Sequence, residues 1–462
     1  MQGEYRGDFT RDTFNPTKHF SRVLMQQGRV LLDEDWNEQV SITLYYLRSV
    51  AEDLIGEHGG RGDGFKIDQV TQATGKLDFK IREGYYYVKG WLCKTKEQDY
   101  SKQPGYPFPD SIDSELDTTK AYLVYLDVWE RHITSLEDDS IREVALGGPD
   151  TATRAQLTCQ VKVKEISAAR ANTDFKTDHN AFFAEITEHA KPTSGSLRAR
   201  AKRGPKDDEP CAISPESRFR GAENQLYRVE IHRSGENGAT GQATFKWSRE
   251  NGSIVFPIRS LGDGKVTLAH LGRDLGSSLQ VNDWVEIVDD DLALRGKAGP
   301  LRQVESIDPV EMSVTLKNPG TLPAYTEDSP THPLLRRWDQ QGDRLEDGLK
   351  LKEGDGEDEE NWIALEDGIQ IQFPLSPAGE PYTYRSGDYW LIPARTATGD
   401  VEWPVERNAD GTVKTYPNSS EPIPKAKEAH GIKHFYAPLA KIGGGAAATL
   451  TPLRRILNQL WS

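Results

Sequence analysis

The sequence predicts a mainly β, multidomain chain with an N-terminal helical segment, α+β overall, that includes a small β-barrel-like central unit. Three observations lead there. At 462 residues the chain is long enough for about three domains. Its 41 Gly, 26 Pro, 17 Tyr, 14 Phe and 10 Trp against 3 Met favour strands joined by many turns. A sustained helical period appears only near the start and, more briefly, at the end.

The elements follow in order. After the turn-like Asn15-Pro16, Phe20, Val23 and Leu24 fall at helical spacing and Gly28 is a stop signal, so a short first helix is expected. Asp35 before Trp36-Asn37-Glu38 reads as a capping box. From there Trp36, Val40, Leu44, Leu47, Ala51 and Leu54 repeat at steps of three or four until Gly56, which predicts an amphipathic helix of about twenty residues. Residues 1–64 therefore form an N-terminal helical segment.

A first β region spans 65–164, with strands over 77–81, 85–93 and 121–129. The last has almost no polar alternation and reads as a strand buried on both faces. Residues 165–218 read as a surface loop or insertion containing a possible short helix over 182–189 and the basic run Arg198 to Arg203. The central β region, 219–325, carries Asn251-Gly252 between apolar alternations, a strong hairpin mark because both turn residues need positive φ. Five short strands at turn-like spacing from 242 to 317 suggest a compact barrel of oligosaccharide-binding or SH3-like type. A C-terminal β region, 326–442, contains the acidic tract 353–360. Residues 443–462 read as a Gly-rich tether and a detachable amphipathic helix with Leu453, Ile456, Leu457 and Leu460 on one face.

Net charge is −15, from 57 Lys and Arg against 72 Asp and Glu, which disfavours nonspecific binding to nucleic acid or anionic membranes. No window has the length of apolar chain that spans a bilayer, and residues 1–14 lack a secretory signal. The expectation is cytoplasmic synthesis, with assembly into a particle that is cytoplasmic, membrane-docked or released, and without direct membrane insertion. Three cysteines, Cys93, Cys159 and Cys211, have neither zinc-ribbon nor disulfide-scaffold spacing.

Motifs for chemistry are sparse. His179, Glu185 and His189 lack the spacing that places two imidazoles on one zinc ion, and a solvated helix face is the simpler reading. The acidic tract lacks the sixth-position glycine and terminal glutamate of a calcium loop, which leaves a solvated acidic loop. The run 198–203 has no interleaved aromatics for base stacking, so it either docks on an acidic neighbour or is solvated. Arg61-Gly62-Asp63 is read as a chance match to an adhesion tripeptide. No nucleophile elbow or phosphate loop is present. The chain is thus expected not to be an enzyme, with no catalytic residue, metal or cofactor assigned.

Several blocks carry a resemblance: Gly7-Asp-Phe-Thr-Arg-Asp-Thr-Phe-Asn-Pro16, His19-Phe20-Ser21, residues 23–30, Asp35-Trp-Asn-Glu-Gln39, residues 122–131, 227–232 and 245–252, Arg337-Trp-Asp339 and residues 387–395. Together they resemble an uncharacterised bacterial protein family encoded beside phage-tail-like genes, including baseplate and spike components of contractile injection systems. The resemblance implies a structural component of such a particle, baseplate or spike-associated, working through contacts with other subunits and through self-association. It brings no catalytic residues. The bulky and amide side chains Met25, Gln26, Gln27, Trp36 and Asn37, with Leu453, Ile456, Leu457, Leu460 and Trp461, are the candidate subunit interface, internal packing of the first two helices being the alternative. Two other functions stay open: a carbohydrate- or receptor-binding module of the same particle, suggested by Tyr85-Tyr-Tyr87, and a cell-wall hydrolase, suggested only by the many carboxylates.

Overall fold

The computed structural model describes residues 4–457 apart from 74–75, 107–115, 118, 149, 168–169, 171–172, 177, 191–192, 202–218, 238–241, 273, 275, 328, 342–346, 378–380, 418 and 444–448. It is β-rich, with several sheets and few helices, and divides into two compact units. One comprises Met1–Tyr5, Asp12–Lys191 and Ile432–Ser462; the other comprises Arg6–Arg11 and Pro192–Gly431.

In the first unit the strand Ala121–Ile133 lies at the centre of an antiparallel sheet, between Arg154–Ile166 and Phe435–Gly443. Residues 122–129 are all buried, as an apolar run without polar alternation requires. Alternate side chains point to opposite faces of a strand, and here each face has its own core. Tyr122, Val124, Leu126 and Val128 join a cluster with Tyr86 and Trp91, while Leu123 and Tyr125 pack with Phe182 and Ile186 of the helix His179–Ala190.

Three expectations in this unit are corrected. No α-helix follows Pro16: a single 3-10 turn, Pro16–Lys18, is capped by Asn15, and the chain then runs without regular structure to the helix Asp33–Ile55. That helix starts two residues before the expected cap, with Asp33, Glu34 and Asp35 in its first turn, where carboxylates suit the positive end of the dipole. The strand expected over 85–93 is a hairpin, Gly84–Val88 and Trp91–Thr95, turning at Lys89-Gly90 with φ of +48° and +77°. Lys at the first turn position gave no turn signal.

The tail is the third correction. Thr449–Pro452 is a strand paired with Phe435–Gly443, and residues 453–457 are not helical. Leu453 is 2% exposed and packs with Phe182. The backbone amide of Leu457 donates to the Gly60 carbonyl at 2.9 Å, and that of Arg455 to the Tyr86 hydroxyl, also at 2.9 Å. A ladder and these bonds offered more to the backbone than a free helix did. Leu460 and Trp461 lie outside the described residues.

In the second unit two sheets share one apolar core. The five-stranded sheet places Gln225–Arg233 between Thr244–Ser248 and Tyr389–Arg395. The four-stranded sheet places Ser196–Ala201 between Ile369–Gln372 and Lys427–Glu428. The latter strand lies within the expected surface loop and carries half of the basic run. Leu197, Ala199 and Ala201 face the core, and Arg198 and Arg200 face the acidic tract. Arg198 pairs with Asp355 at 2.7 Å, and Arg200 pairs with Glu359 at 3.2 Å and lies 4.0 Å over the Trp362 ring. Arg198 and Arg200 therefore dock on an acidic neighbour in their own unit, while Lys202 and Arg203 lie outside the described residues; Asp355, Asp358, Glu359 and Glu360 of the tract are exposed.

The same unit contains a closed six-stranded antiparallel barrel in the order Val255–Gly262, Lys265–Leu268, Ser313–Leu316, Leu301–Asp308, Trp284–Val288 and Leu334–Trp338. Phe256, Val266, Val285, Ile287, Val304 and Leu335 fill its interior. Asn251 and Gly252 turn with φ of +53° and +66°, but the strands flanking them do not pair. Thr244–Ser248 stays in the five-stranded sheet, and Val255–Gly262 opens the barrel. The expected hairpin is thus a handover between sheet and barrel. Closure also takes the strand Leu334–Trp338, beyond the expected limit at 317.

Candidate functional site

The surface least accounted for by the chain's own packing is the helix Asp33–Ile55 and the segment before it. Of its 23 residues only Glu34 and Ile42 are buried. Trp36 is 74% exposed, Leu47 63% and Leu54 81%, and Val40, Tyr45, Tyr46 and Val50 are exposed too. In the segment before the helix Phe20, Leu24, Met25, Val30, Leu31 and Leu32 are exposed as well. Of the stripe read from the helical period, Trp36, Val40, Leu47 and Leu54 are exposed while Leu44 and Ala51 are half-buried. Exposed apolar side chains in such number make this helix a candidate interaction surface.

The opposite side of the helix is firmly seated. Arg48 stacks its guanidinium 3.2 Å over the Trp91 ring and pairs with Glu130 at 3.1 Å. Burial lowers the Arg48 pKa despite Glu130. Lys89, in the hairpin turn, binds Glu52 at 2.8 Å and Glu57 at 3.1 Å. A side chain at Gly90 would put its Cβ 2.3 Å from the Arg48 carbonyl oxygen, so the turn and helix backbone touch. Ahead of the helix, Thr13 donates to Glu38 at 2.6 Å, and Val23 N–H donates to Gln39 Oε1 at 2.8 Å. The helix is thus fixed in orientation while its apolar stripe is left out.

Of the residues expected at an interface, Met25, Gln26, Gln27 and Trp36 are exposed in this region and Asn37 is half-buried beside Trp36. Leu453 is internal to its own unit, which corrects its placement. Ile456 is 52% exposed and Leu457 half-buried, at the loop after the helix. Leu47 and Leu54 carry the signal of the helical period but are not assigned to an interface by it, and Tyr45 and Val50 lie off that period.

A second constellation, also missed, is a buried ionic network in the other unit. Gln225–Arg233 alternates Tyr227, Val229 and Ile231 into the apolar core with Arg228, Glu230 and His232, which are buried as well. Glu230 is bound by Arg228 at 2.6 Å, Arg6 at 3.0 Å and Lys246 at 3.2 Å. Burial pushes the Glu230 carboxyl up, but Arg6, Lys246 and Arg228 outweigh it and hold it well below the usual range. Lys246 also reaches Glu286 at 2.7 Å, and Glu286 accepts from the Trp338 indole at 2.9 Å. Asn251 accepts from Arg228 at 3.2 Å and donates to the Gly7 carbonyl at 2.9 Å. Carboxylates so saturated by cations have little capacity for proton transfer; their geometry suits locking. Several blocks that carry the resemblance, 227–232, 245–252 and 337–339, meet in and around this network.

One carboxyl differs. Burial pushes Glu366 up to about 7, against the pull of Arg249 at 2.8 Å, while Tyr227 donates to it at 3.1 Å. Glu185, from the histidine group considered for metal, pairs with Arg170 at 2.9 Å. Among the described residues no group of three or more His, Cys, Asp and Glu is placed to hold a metal ion. Likewise no helix among them is long and apolar enough to cross a membrane.

Fold and surface together define a β-rich, multidomain protein that presents a seated helix with an uncovered apolar stripe. The chain belongs to DUF6519, a family of unknown function, whose model matches residues 5–182 and 179–441. No curated protein and no solved structure matches it.

Proposed function

We propose that this protein is a structural component of a phage-tail-like contractile injection system, baseplate or spike-associated, and acts through subunit contacts rather than catalysis. The observation that carries the reading is the helix Asp33–Ile55, anchored on one side by Arg48 and Lys89 and bare on the other, with Trp36, Leu47 and Leu54 in solvent. Burying a large apolar side chain is worth about 1.5–3 kcal/mol, so leaving several outside favours their being covered by a neighbour. The particle class comes from the sequence resemblance. The test is sedimentation of native particles, with mass spectrometry for this chain. Co-sedimentation that is lost on Leu47→Glu, with the chain still folded, supports the proposal; a chain that stays wholly in the soluble fraction contradicts it.

A second reading, carbohydrate binding, has one observation in its favour. Tyr86 points into the core while Tyr85 and Tyr87 lie edge to face on the other side of the strand, with ring centroids 6.1 Å apart. Unchanged affinity for cell-surface glycans on replacing both by Ala would remove it.

A further inference from the structure

We infer that the helix Asp33–Ile55 pairs with the same helix of a second copy of this chain, through a coiled-coil seam formed by Trp36, Val40, Thr43, Leu47, Val50 and Leu54. This deepens the proposal of a subunit that works by contacts, and it rests on that reading. All six residues are exposed. They are spaced by steps of four, three, four, three and four, the alternation that keeps a seam turned toward a second helix, because its mean period is 3.5 residues. A sheet edge or a flat surface calls for no such period. The seam covers 18 residues of rise, about 27 Å.

The polar member of the seam does not oppose burial. The Thr43 hydroxyl donates to the Gln39 carbonyl at 3.0 Å and accepts from the Gln39 amide at 3.2 Å, so it is already satisfied within its own helix. The seating of the other face fixes which side is offered, since Arg48, Glu52 and Ile42 are engaged with the unit's own residues or buried.

The choice of a second copy follows from length and charge. Among the described residues the other α-helices have 12 and 5 residues, so the helix of matching length that this protein offers is this one again. The positions flanking the seam are Asn37, Gln39, Leu44, Tyr46, Ala51 and Asp53, with one charge in six. Flanking charges are what select an unlike partner or forbid a like one. Two identical helices can therefore meet along this seam with almost no like-charge opposition, and a two-fold arrangement closes the contact.

Sedimentation velocity and light scattering of the full-length chain, from 0.1 to 100 µM, test the inference. The expected result is a concentration-dependent shift from 51.7 kDa to a multiple of it. Leu47→Glu combined with Val50→Glu should weaken association at least a hundredfold while the thermal unfolding midpoint of the monomer is unchanged. A second measurement covers misfolding of that variant: under mild oxidation Leu47→Cys should give cross-linked dimer, and Ser49→Cys, off the seam, should not exceed the wild-type background. A monomer across the whole range, or an oligomer indifferent to the seam changes, overturns the inference. A monomer that still co-sediments with particles would overturn the self-pairing alone, and a dimer absent from particles would overturn the particle assignment alone.

Discussion

The strand Ala121–Ile133 and the helix Asp33–Ile55 belong to the same compact unit, and both carry large apolar side chains, yet eight consecutive residues of the strand are buried while the helix buries two in 23. The difference lies in what each needs from its surroundings. A strand cannot satisfy its backbone alone, so an apolar one acquires neighbours and both its faces become cores. A helix closes its own hydrogen bonds and needs only a seat, which here is Arg48 on Trp91 and Glu130. Apolar side chains in a helix therefore do not by themselves report burial within the chain. That distinction separates a stability surface from an association surface.

The largest expected break of the comparison comes from placing the same charge in each element. Leu126→Asp buries a carboxylate in the strand core and should cost at least about 4 kcal/mol or prevent folding. Leu47→Asp, measured by thermal unfolding at concentrations where the chain is monomeric, should change stability by about 0.5 kcal/mol or less. A large loss for Leu47→Asp in the monomer would show that the stripe is a core after all.

Next is the ionic anchor of the strand. Asp127 is bound by His434 at 2.7 Å and Lys162 at 2.8 Å. Burial raises its pKa, but the two partners outweigh that and hold it well below the carboxylate range. Its contribution is therefore complete above the unfolded value, about 3.9, and is lost as pH falls through the depressed folded value. Asp127→Asn removes the carboxylate that the half-buried Lys162 ammonium and the His434 ring bind and should cost about 3 kcal/mol at pH 7 by denaturant unfolding. Less than about 1 kcal/mol would show the pair to be incidental.

Gly90→Ala tests the seat of the helix. It places a Cβ at φ +77°, 2.3 Å from the Arg48 carbonyl, and should cost about 2 kcal/mol. Faster amide exchange confined to the helix and hairpin would locate the damage there.

The smallest effect at neutral pH belongs to the other unit. Burial lowers His430 to about 3, and His232 to about 4 with help from Lys246. Both are neutral when folded and take up protons on unfolding, so stability should fall as pH drops from about 6.5 toward those folded values. An acid titration of unfolding midpoints should show loss beginning near 6.5, above the range in which Asp127 acts. Loss beginning only below pH 4 would contradict the buried neutral imidazoles.

Much of the architecture was legible where one local rule acted alone. The apolar run at 121–129, the helical period after Trp36 and the positive-φ pair Asn251-Gly252 each specify a local conformation, and each occurs. What was not legible depended on partners distant in sequence. For Arg198 and Arg200 docking and solvation both stay open in the sequence because their partners, Asp355 and Glu359, lie more than 150 residues away. Arg228, Glu230 and His232 alternate with apolar residues as an exposed strand face would, and only Arg6, Lys246 and Glu286 make that face an interior. The tail shows the same limit: Leu453 and Leu457 have helical spacing, but Leu453 packs with Phe182 and Leu457 bonds to Gly60, and neither is helical. For the candidate interface, Trp36 and Met25 are legible by their chemistry, whereas the helical period that marks Leu47 and Leu54 specifies an amphipathic helix without saying what its apolar face meets, and Val50 lies off that period.

Hydroxyl-radical footprinting, read residue by residue by mass spectrometry on the chain at monomeric dilution and in its assembled form, tests the central claim most directly. An association surface on this helix predicts strong labelling of Trp36, Leu47 and Leu54 in the dilute chain, marked protection of all three on assembly, and low, unchanged labelling of Ile42 and Leu126. Equal labelling of Trp36, Leu47 and Leu54 in both states would contradict it.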